Sequence, residues 1–580
     1  MHTRANLPQR YGKRKSRKTK RWFVILLGVI LILVGKYIYD HYIPSFQQVQ
    51  PKYSSDFPIT MNGKEAPFKA LIDEDQVKLP LPLLQQWLEE DQHIHYEQDN
   101  GALVLTTSSS VLRMVVDEKV GQLQLAPYQL DSAAVEVDGV VYLPLQPLEK
   151  LYGIQVEYNA ESGVTTLFHA GQTLQSAEVT KEKGVVMRIE PHIKAPYLAK
   201  VVQHEVVRVW EEEAGWFKVQ NKLGHYGYVK KTGVQLTTTE QIPTLEKKEA
   251  FVAWKKPNSK INLVWEAVYG RRPDPATIGS MPGVNVISPT WFELADSKGN
   301  INEKADTAFV TWANKRDYEV WALFSNAFEP EQTTTVLANV DSRFTMIKQL
   351  LALADKYKLQ GINVDFENVY TKDKENFVQF IREMTPFLHE QGLVVSVDVT
   401  PKSNSEMWSA FIDREALGKI VDYMMVMAYD EHWAASPKAG SVASLPWTEH
   451  AITKILEEDN VPSEKLILSM PLYTRIWTEK KLEDGTIKVS SKAVGMERVK
   501  NIIKEKKLTP KLDEQAGQHY VEYVEEGNRQ RIWIEDELSI TKRISLVHKY
   551  KLAGVASWQR AFETATIWPV IEKQLQQTKQ

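Results

Sequence analysis

Between Lys260 and the carboxyl terminus, short apolar strands alternate with amphipathic helices, and this alternation constrains the fold more than any other feature of the chain. Eight strand-like runs occur: KINLVWEAV, NVISPTWFEL, EVWALFSN, GINVDFE, VVSVDVTP, YMMVMAYDE, KLILSMPLY and LAGVASWQ. Between them lie stretches such as SRFTMIKQLLALADKYK and KENFVQFIREMTPFLHEQG, whose apolar residues recur every three or four positions, the helical period. Eight strand–helix units in about 300 residues point to a (β/α)8 TIM barrel over 259–580. A piece at about 478–537 interrupts the last repeat. It holds a helix, GMERVKNIIKEKK, and a hairpin, HYVEYVEEGNRQRIWIED, and is expected to form an α+β subdomain along one wall of a groove.

The other end of the chain is different in kind. Trp22–Val34 is an unbroken apolar run, followed by Gly35, Lys36 and Tyr37-Ile38-Tyr39. Residues 22–39 would span about 27 Å as a helix, enough for a bilayer core if Lys36 reaches outward. Trp22, Tyr37 and Tyr39 suit the two interfaces. Residues 1–21 carry nine Lys and Arg and no acid, so this tail is expected to stay cytoplasmic. No small-x-small cleavage pattern follows, which favours a single-pass signal anchor with everything beyond about residue 40 outside the cytoplasm. Taking those nine from 71 basic residues leaves 62 against 74 acidic ones. The body is therefore acidic, and nucleic acid is not an expected partner. With no cysteine, there is no disulfide framework, thiolate nucleophile or Cys-ligated metal.

Two smaller units lie between. Leu79-Pro80-Leu81 recurs 64 residues later as Leu143-Pro144-Leu145. Each copy reads as a strand, a short helix and a hairpin, turning at Asp99-Asn100-Gly101 or Ser162-Gly163. Over 55–172 this resembles the copper amine oxidase N-terminal-like repeat domain. It has no ligand cluster, since His93 and His95 merely alternate along one strand, so a structural or wall-binding module is expected rather than a copper site. Residues 181–236 are all-β. Gly215-Trp216-Phe217-Lys218-Val219, Gly224 and Gly227-Tyr228-Val229 resemble the bacterial SH3 domain, which implies a wall-peptide ligand; alternatively Trp216 and Tyr228 are simply core. The polar stretch 237–258 reads as a linker.

Chemistry concentrates in the fourth strand, Gly361-Ile362-Asn363-Val364-Asp365-Phe366-Glu367-Asn368. Side chains alternate along a strand, so Asn363, Asp365 and Glu367 share one face and Ile362, Val364 and Phe366 the other. The outside of a parallel barrel must be apolar to pack its helices. The polar trio is therefore expected inside, with Glu367 at the carboxyl end where barrel enzymes place their chemistry. Crowded carboxyls raise one another's pKa and can keep Glu367 protonated as a general acid.

This segment resembles the signature of glycoside hydrolase family 18, Asp-Gly-x-Asp-x-Asp-x-Glu. Gly361, Asp365 and Glu367 match, while Gln360 and Asn363 replace the first two acids. The NxDFEN form resembles the branch of spore-cortex and other peptidoglycan-directed glucosaminidases. Met427-Ala428-Tyr429-Asp430 matches the family's M-x-Y-D, Met470-Pro471-Leu472-Tyr473-Thr474-Arg475 its P-x-Y-x-R, and Trp558 its sugar-floor tryptophan. The resemblance implies substrate-assisted, retaining hydrolysis without cofactor or metal. Glu367 would be acid and base, Asp365 would orient the acetamido N–H, and Tyr429 would donate to the acetamido oxygen. Asn363, Met427, Asp430, Tyr473, Arg475 and Trp558 would bind substrate. Asn363 can donate to Asp365 but not repel it, so Asp365 is expected to titrate below its counterpart in Asp-bearing relatives, moving the pH optimum down.

Among other tryptophans, Trp433 and Trp447 in the loop after strand six are better subsite candidates than Trp291, Trp408 or Trp477, and Trp321 reads as core. The expected function is cleavage of β-1,4 bonds after N-acetylglucosamine in peptidoglycan by a membrane-anchored enzyme. Hydrolysis of chitin or chitooligosaccharides, a non-catalytic glycan-binding protein, and a scaffold for envelope proteins are the alternatives.

Overall fold

A computed structural model describes residues 17–74, 76–245, 251–254, 259–270 and 272–577. Most of the basic tail (1–16) and parts of the linker (246–250 and 255–258) lie outside the described residues. The chain divides into two units. One comprises residues up to 86 and 134–246, the other residues 87–133 and 247–580.

In the first unit, Arg17–Tyr42 is a helix. Its segment Arg21–Tyr42 has a mean hydropathy of 2.2 with none of it buried by protein, so it is long and apolar enough to cross a bilayer or to act as a signal sequence. The two repeat copies meet through their matched tripeptides. Strands Gln76–Pro80 and Val140–Pro144 pair antiparallel with Leu79 opposite Leu143, both fully buried. Residues 173–241 then form a seven-stranded antiparallel sheet. Trp216, Phe217 and Val219 are buried in it. Its last strand, Val234–Gln241, pairs with Thr173–Val179, so the sheet runs five residues into the stretch read as linker.

In the second unit the eight predicted strands are all present: β1 Ile261–Glu266, β2 Val286–Leu294, β3 Glu319–Ser325, β4 Gly361–Asp365, β5 Val394–Val399, β6 Tyr423–Met427, β7 Leu466–Pro471 and β8 Gly554–Trp558. Each pairs in parallel with the next, and β8 pairs with β1, closing the barrel. Alternation sorts their side chains. Ile362, Val364 and Phe366 join the outer layer beneath the helices, while Leu263, Trp265, Trp321 and Met425 fill the interior. Gly361 is set by that filling, because a Cβ there would stand 2.8 Å from the Trp321 ring. The insertion forms a five-stranded sheet from Tyr473 to Ile534, with helix Met496–Glu505 packed on it.

Residues 93–129, from the first repeat copy onward, form a five-stranded hairpin sheet that packs on the barrel's outer helices. Ala102, Val104 and Val111 belong to the same apolar cluster as Phe344 and Met384. At its edge Arg343, fully buried, bonds Glu383 at 2.8 Å and Glu97 at 2.7 Å. A buried cation needs such partners, because an unpaired charge there costs several kcal/mol. Arg343→Ala is expected to destabilise the chain by about 3–5 kcal/mol, against less than about 1 kcal/mol for Arg113→Ala, whose partner Asp341 is exposed. Chemical denaturation followed by fluorescence measures both.

Candidate active site

The barrel interior near its carboxyl end is polar, and one amide organises it. Asn363, fully buried, accepts from Trp265 Nε1 at 2.9 Å and from Ser288 Oγ at 3.1 Å. Its own Nδ2 donates to Asp398 Oδ1 at 2.9 Å. The donation expected toward Asp365 therefore goes to β5 instead. Asp365 Oδ1 is buried without a hydrogen-bond partner. Burial, followed by the charge of Asp398, pushes the Asp365 carboxyl well above the usual range. Burial also pushes Asp398 well above it, against the lowering effect of the Asn363 amide.

Glu367 stands two residues past the end of β4. Asn326, at the end of β3, clamps its backbone: Nδ2 donates to the Glu367 carbonyl at 2.8 Å, and Oδ1 accepts from the Glu367 N–H at 3.1 Å. Thr333 fixes the clamp by accepting from Asn326 Nδ2 at 3.0 Å. Burial, then Asp365 and Asp430, raises the Glu367 carboxyl from 4.5 to about 8. A carboxyl raised that far is set to keep its proton at neutral pH, and its side chain stays partly exposed.

Tyr429, at the end of β6, is pushed well above 10 by burial and by Asp398, so it stays a phenol and can donate. Asp430 adopts a left-handed backbone (φ 61°) and accepts from Tyr473 Oη at 2.6 Å and Arg475 Nη2 at 3.1 Å. Trp558 ends β8 with its ring 5.9 Å from that of Trp265, linking it to Asn363. Met427 is nearly buried and, two residues on from Met425, lies on the interior face of β6. Trp433 is 54% exposed on the following loop and makes no hydrogen bond or ring contact with this group among the described residues. Trp447 packs partly buried against the outer apolar layer, and Trp291, Trp321 and Trp477 are fully buried, so none of these four is an open stacking surface.

The sequence singled out neither Asp398 nor Asn326. Asp398 had a readable signal: in Val394–Val399 it alternates with valines, as Asp365 does on β4. Asn326, just past a strand end, had none. A shallow cavity of about 310 Å³, lined by Trp254, Lys260 and Tyr423, lies at the opposite mouth of the barrel, away from these carboxyls. Among the described residues no three His, Asp or Glu are placed to hold a metal ion.

Three family profiles match parts of the chain. The profile for Glycosyl hydrolases family 18 matches residues 289–563, that for the Copper amine oxidase N-terminal domain 60–167, and that for the Bacterial SH3 domain 181–235. The uncharacterized glycosylase YvbX of Bacillus subtilis is 28% identical over 302 residues, half of this chain and 84% of that protein. The cortical fragment-lytic enzyme of Bacillus subtilis is 25% identical over 261 residues, 44% of this chain and 59% of that protein. The spore cortex-lytic enzyme SleL of Bacillus megaterium superposes with a TM-score of 0.49 at 21% identity, covering 62% of this chain and 80% of its own.

The carboxyl of Glu367 titrates near 4.5 when unfolded and about 8 when folded. Between those values the folded chain keeps a proton that the unfolded chain has released, so stability is lost as pH rises through that window. Thermal unfolding from pH 5 to pH 9 is expected to show a smaller decline in Tm for Glu367→Gln than for wild type.

Proposed function

We propose that this chain, whose barrel is a family 18 glycoside hydrolase domain and hence a glycosidase, cleaves the β-1,4 bond after N-acetylglucosamine in peptidoglycan. The observation that carries the reading is a Glu367 carboxyl raised to about 8 beside a buried Asp365 oxygen with no partner. One group is set to give a proton and the other has an open acceptor. Glu367 protonates the glycosidic oxygen, and the bond to C1 breaks as the substrate's 2-acetamido oxygen bonds C1 from the opposite face. Asp365 accepts from the acetamido N–H and Tyr429 donates to its oxygen. Charge appears on the acetamido group only as the bond breaks, so a fixed carboxylate and phenol favour the transition state over bound substrate. Water then attacks C1, Glu367 takes its proton, and two inversions retain the configuration.

Trp558 supplies the apolar floor beneath the reacting sugar, and Met427 lines the wall beside it. Asp430, held by Tyr473 and Arg475, binds sugar hydroxyls, and Trp433 offers a stacking face at the rim. Asn363 keeps the carboxyls in place from below.

Peptidoglycan is favoured over chitin by the setting and by relatives named as cortical fragment-lytic enzymes. The apolar helix anchors the chain as a single pass, with the basic block cytoplasmic and everything beyond about residue 40 outside. The SH3-like sheet takes a wall peptide, and the repeat domain supports the catalytic barrel or contacts wall.

The test uses the full chain in detergent on vegetative wall, spore cortex and chitin, with new reducing ends identified by mass spectrometry. Wild type is expected to release N-acetylglucosamine reducing ends from peptidoglycan, and Glu367→Gln to lose about 10²–10⁴-fold in rate. The alkaline limb of kcat/KM is expected near pH 8. Cleavage of chitin alone would move the substrate, and glycan binding with no cleavage by wild type would make this a binding protein.

A further inference from the structure

β4 and β5 lie side by side in parallel, with Asn363 opposite Ser396 and Val364 opposite Val397. One step further along, Asp365 and Asp398 occupy matching positions on strands about 4.8 Å apart. Both face the interior, because Val364, Val397 and Val399 between and beyond them pack into the outer layer. Asp365 is 8% exposed and Asp398 3%. Two carboxylates that close in a dry interior cannot both be charged without a large penalty. The one amide between them does not treat them alike: Asn363 donates to Asp398, while Asp365 Oδ1 has no partner. A donor stabilises the charged acid it serves, which places the resting charge on Asp398 and the proton on Asp365.

We infer that Asp365 and Asp398 form a cross-strand carboxyl pair holding one negative charge and one proton, with Asp398 as the positioning residue that supplies from β5 what an acid at position 363 would supply from β4. The inference rests on the glycosidase reading above and deepens it. When the acetamido N–H approaches Asp365, the proton on Asp365 passes to Asp398 and the charge passes the other way, so the pair's net charge is unchanged. Asp365 is then an anion beside the cationic ring as it forms. After the product leaves, the proton returns. The other titratable groups facing the pair are Glu367 from the end of β4 and Tyr429 from the end of β6; Glu367 in turn faces Asp430, which Tyr473 and Arg475 hold from beyond β7. Arg475 is the cation among them and is already bound to Asp430.

The test is an isotope-edited infrared titration of the full chain labelled with 13C-aspartate, run on wild type, Asp365→Asn and Asp398→Asn. A shared-proton pair loses its protons in two steps separated by more than about one pH unit, whereas a lone acid loses one in a single step between them. The pair's bands are expected to titrate in two steps in wild type and in one intermediate step in either variant. The amide oxygen introduced by Asp398→Asn can still accept from Asn363, so the fold is kept. The acidic limb of kcat/KM is expected to move to higher pH in Asp398→Asn, whereas a purely structural role would lower the rate equally at every pH. If Asp365 titrates identically with and without Asp398, the pair does not exist. If wild type cleaves no glycan, the glycosidase reading falls, and the infrared steps alone decide the pair.

Discussion

Asn363 is bound inside the barrel by an indole, a hydroxyl and a carboxylate, and the chemistry above it depends on that seat. A barrel interior of this size is normally filled with branched apolar side chains. Here the lower part is filled in that way, by Leu263, Trp321 and Met425. Higher up, Asn363 turns the filling polar, with the two aspartates buried beside it and Glu367 partly exposed above them. Exclusion of water raises each carboxyl, and the crowd raises them further. The same burial that makes the site costly to fold makes Glu367 an acid at neutral pH.

Strand geometry divides the work between side chain and backbone. Asp365 and Asp398 project from strands, which fix their direction. Glu367 lies past a strand end and needs the Asn326 clamp to hold its backbone. Outside, the hairpin sheet covers the helices that flank β4, with Arg343 satisfied by acids from both sides of the junction. The catalytic barrel thus shares its outer apolar layer with residues that lie more than a hundred positions earlier in the chain.

Periodicity made the barrel legible. Eight apolar runs separated by helical ones allow few arrangements, and alternation on GINVDFEN correctly put Ile362, Val364 and Phe366 outside. The site was legible where a motif lay along one strand. It was not legible where the contact crosses between strands, because one sequence does not print the register. For that reason the Asn363 amide was expected at Asp365, two residues along β4, and is found at Asp398, on the neighbouring strand. The division of the repeat region was hidden for a related reason. Hairpins Asp99-Asn100-Gly101 and Ser162-Gly163 look alike locally, yet the first belongs to the barrel unit and the second to the other.

The central claim is that buried carboxyls serve a nucleophile belonging to the substrate. It is tested most directly by digesting one peptidoglycan preparation before and after chemical removal of the N-acetyl groups from its glucosamine residues, with new reducing ends counted by mass spectrometry. The account predicts cleavage of the acetylated polymer and none at de-N-acetylated sites. Equal cleavage of both would mean that a protein group or a water molecule, rather than the acetamido oxygen, attacks C1, and would contradict it.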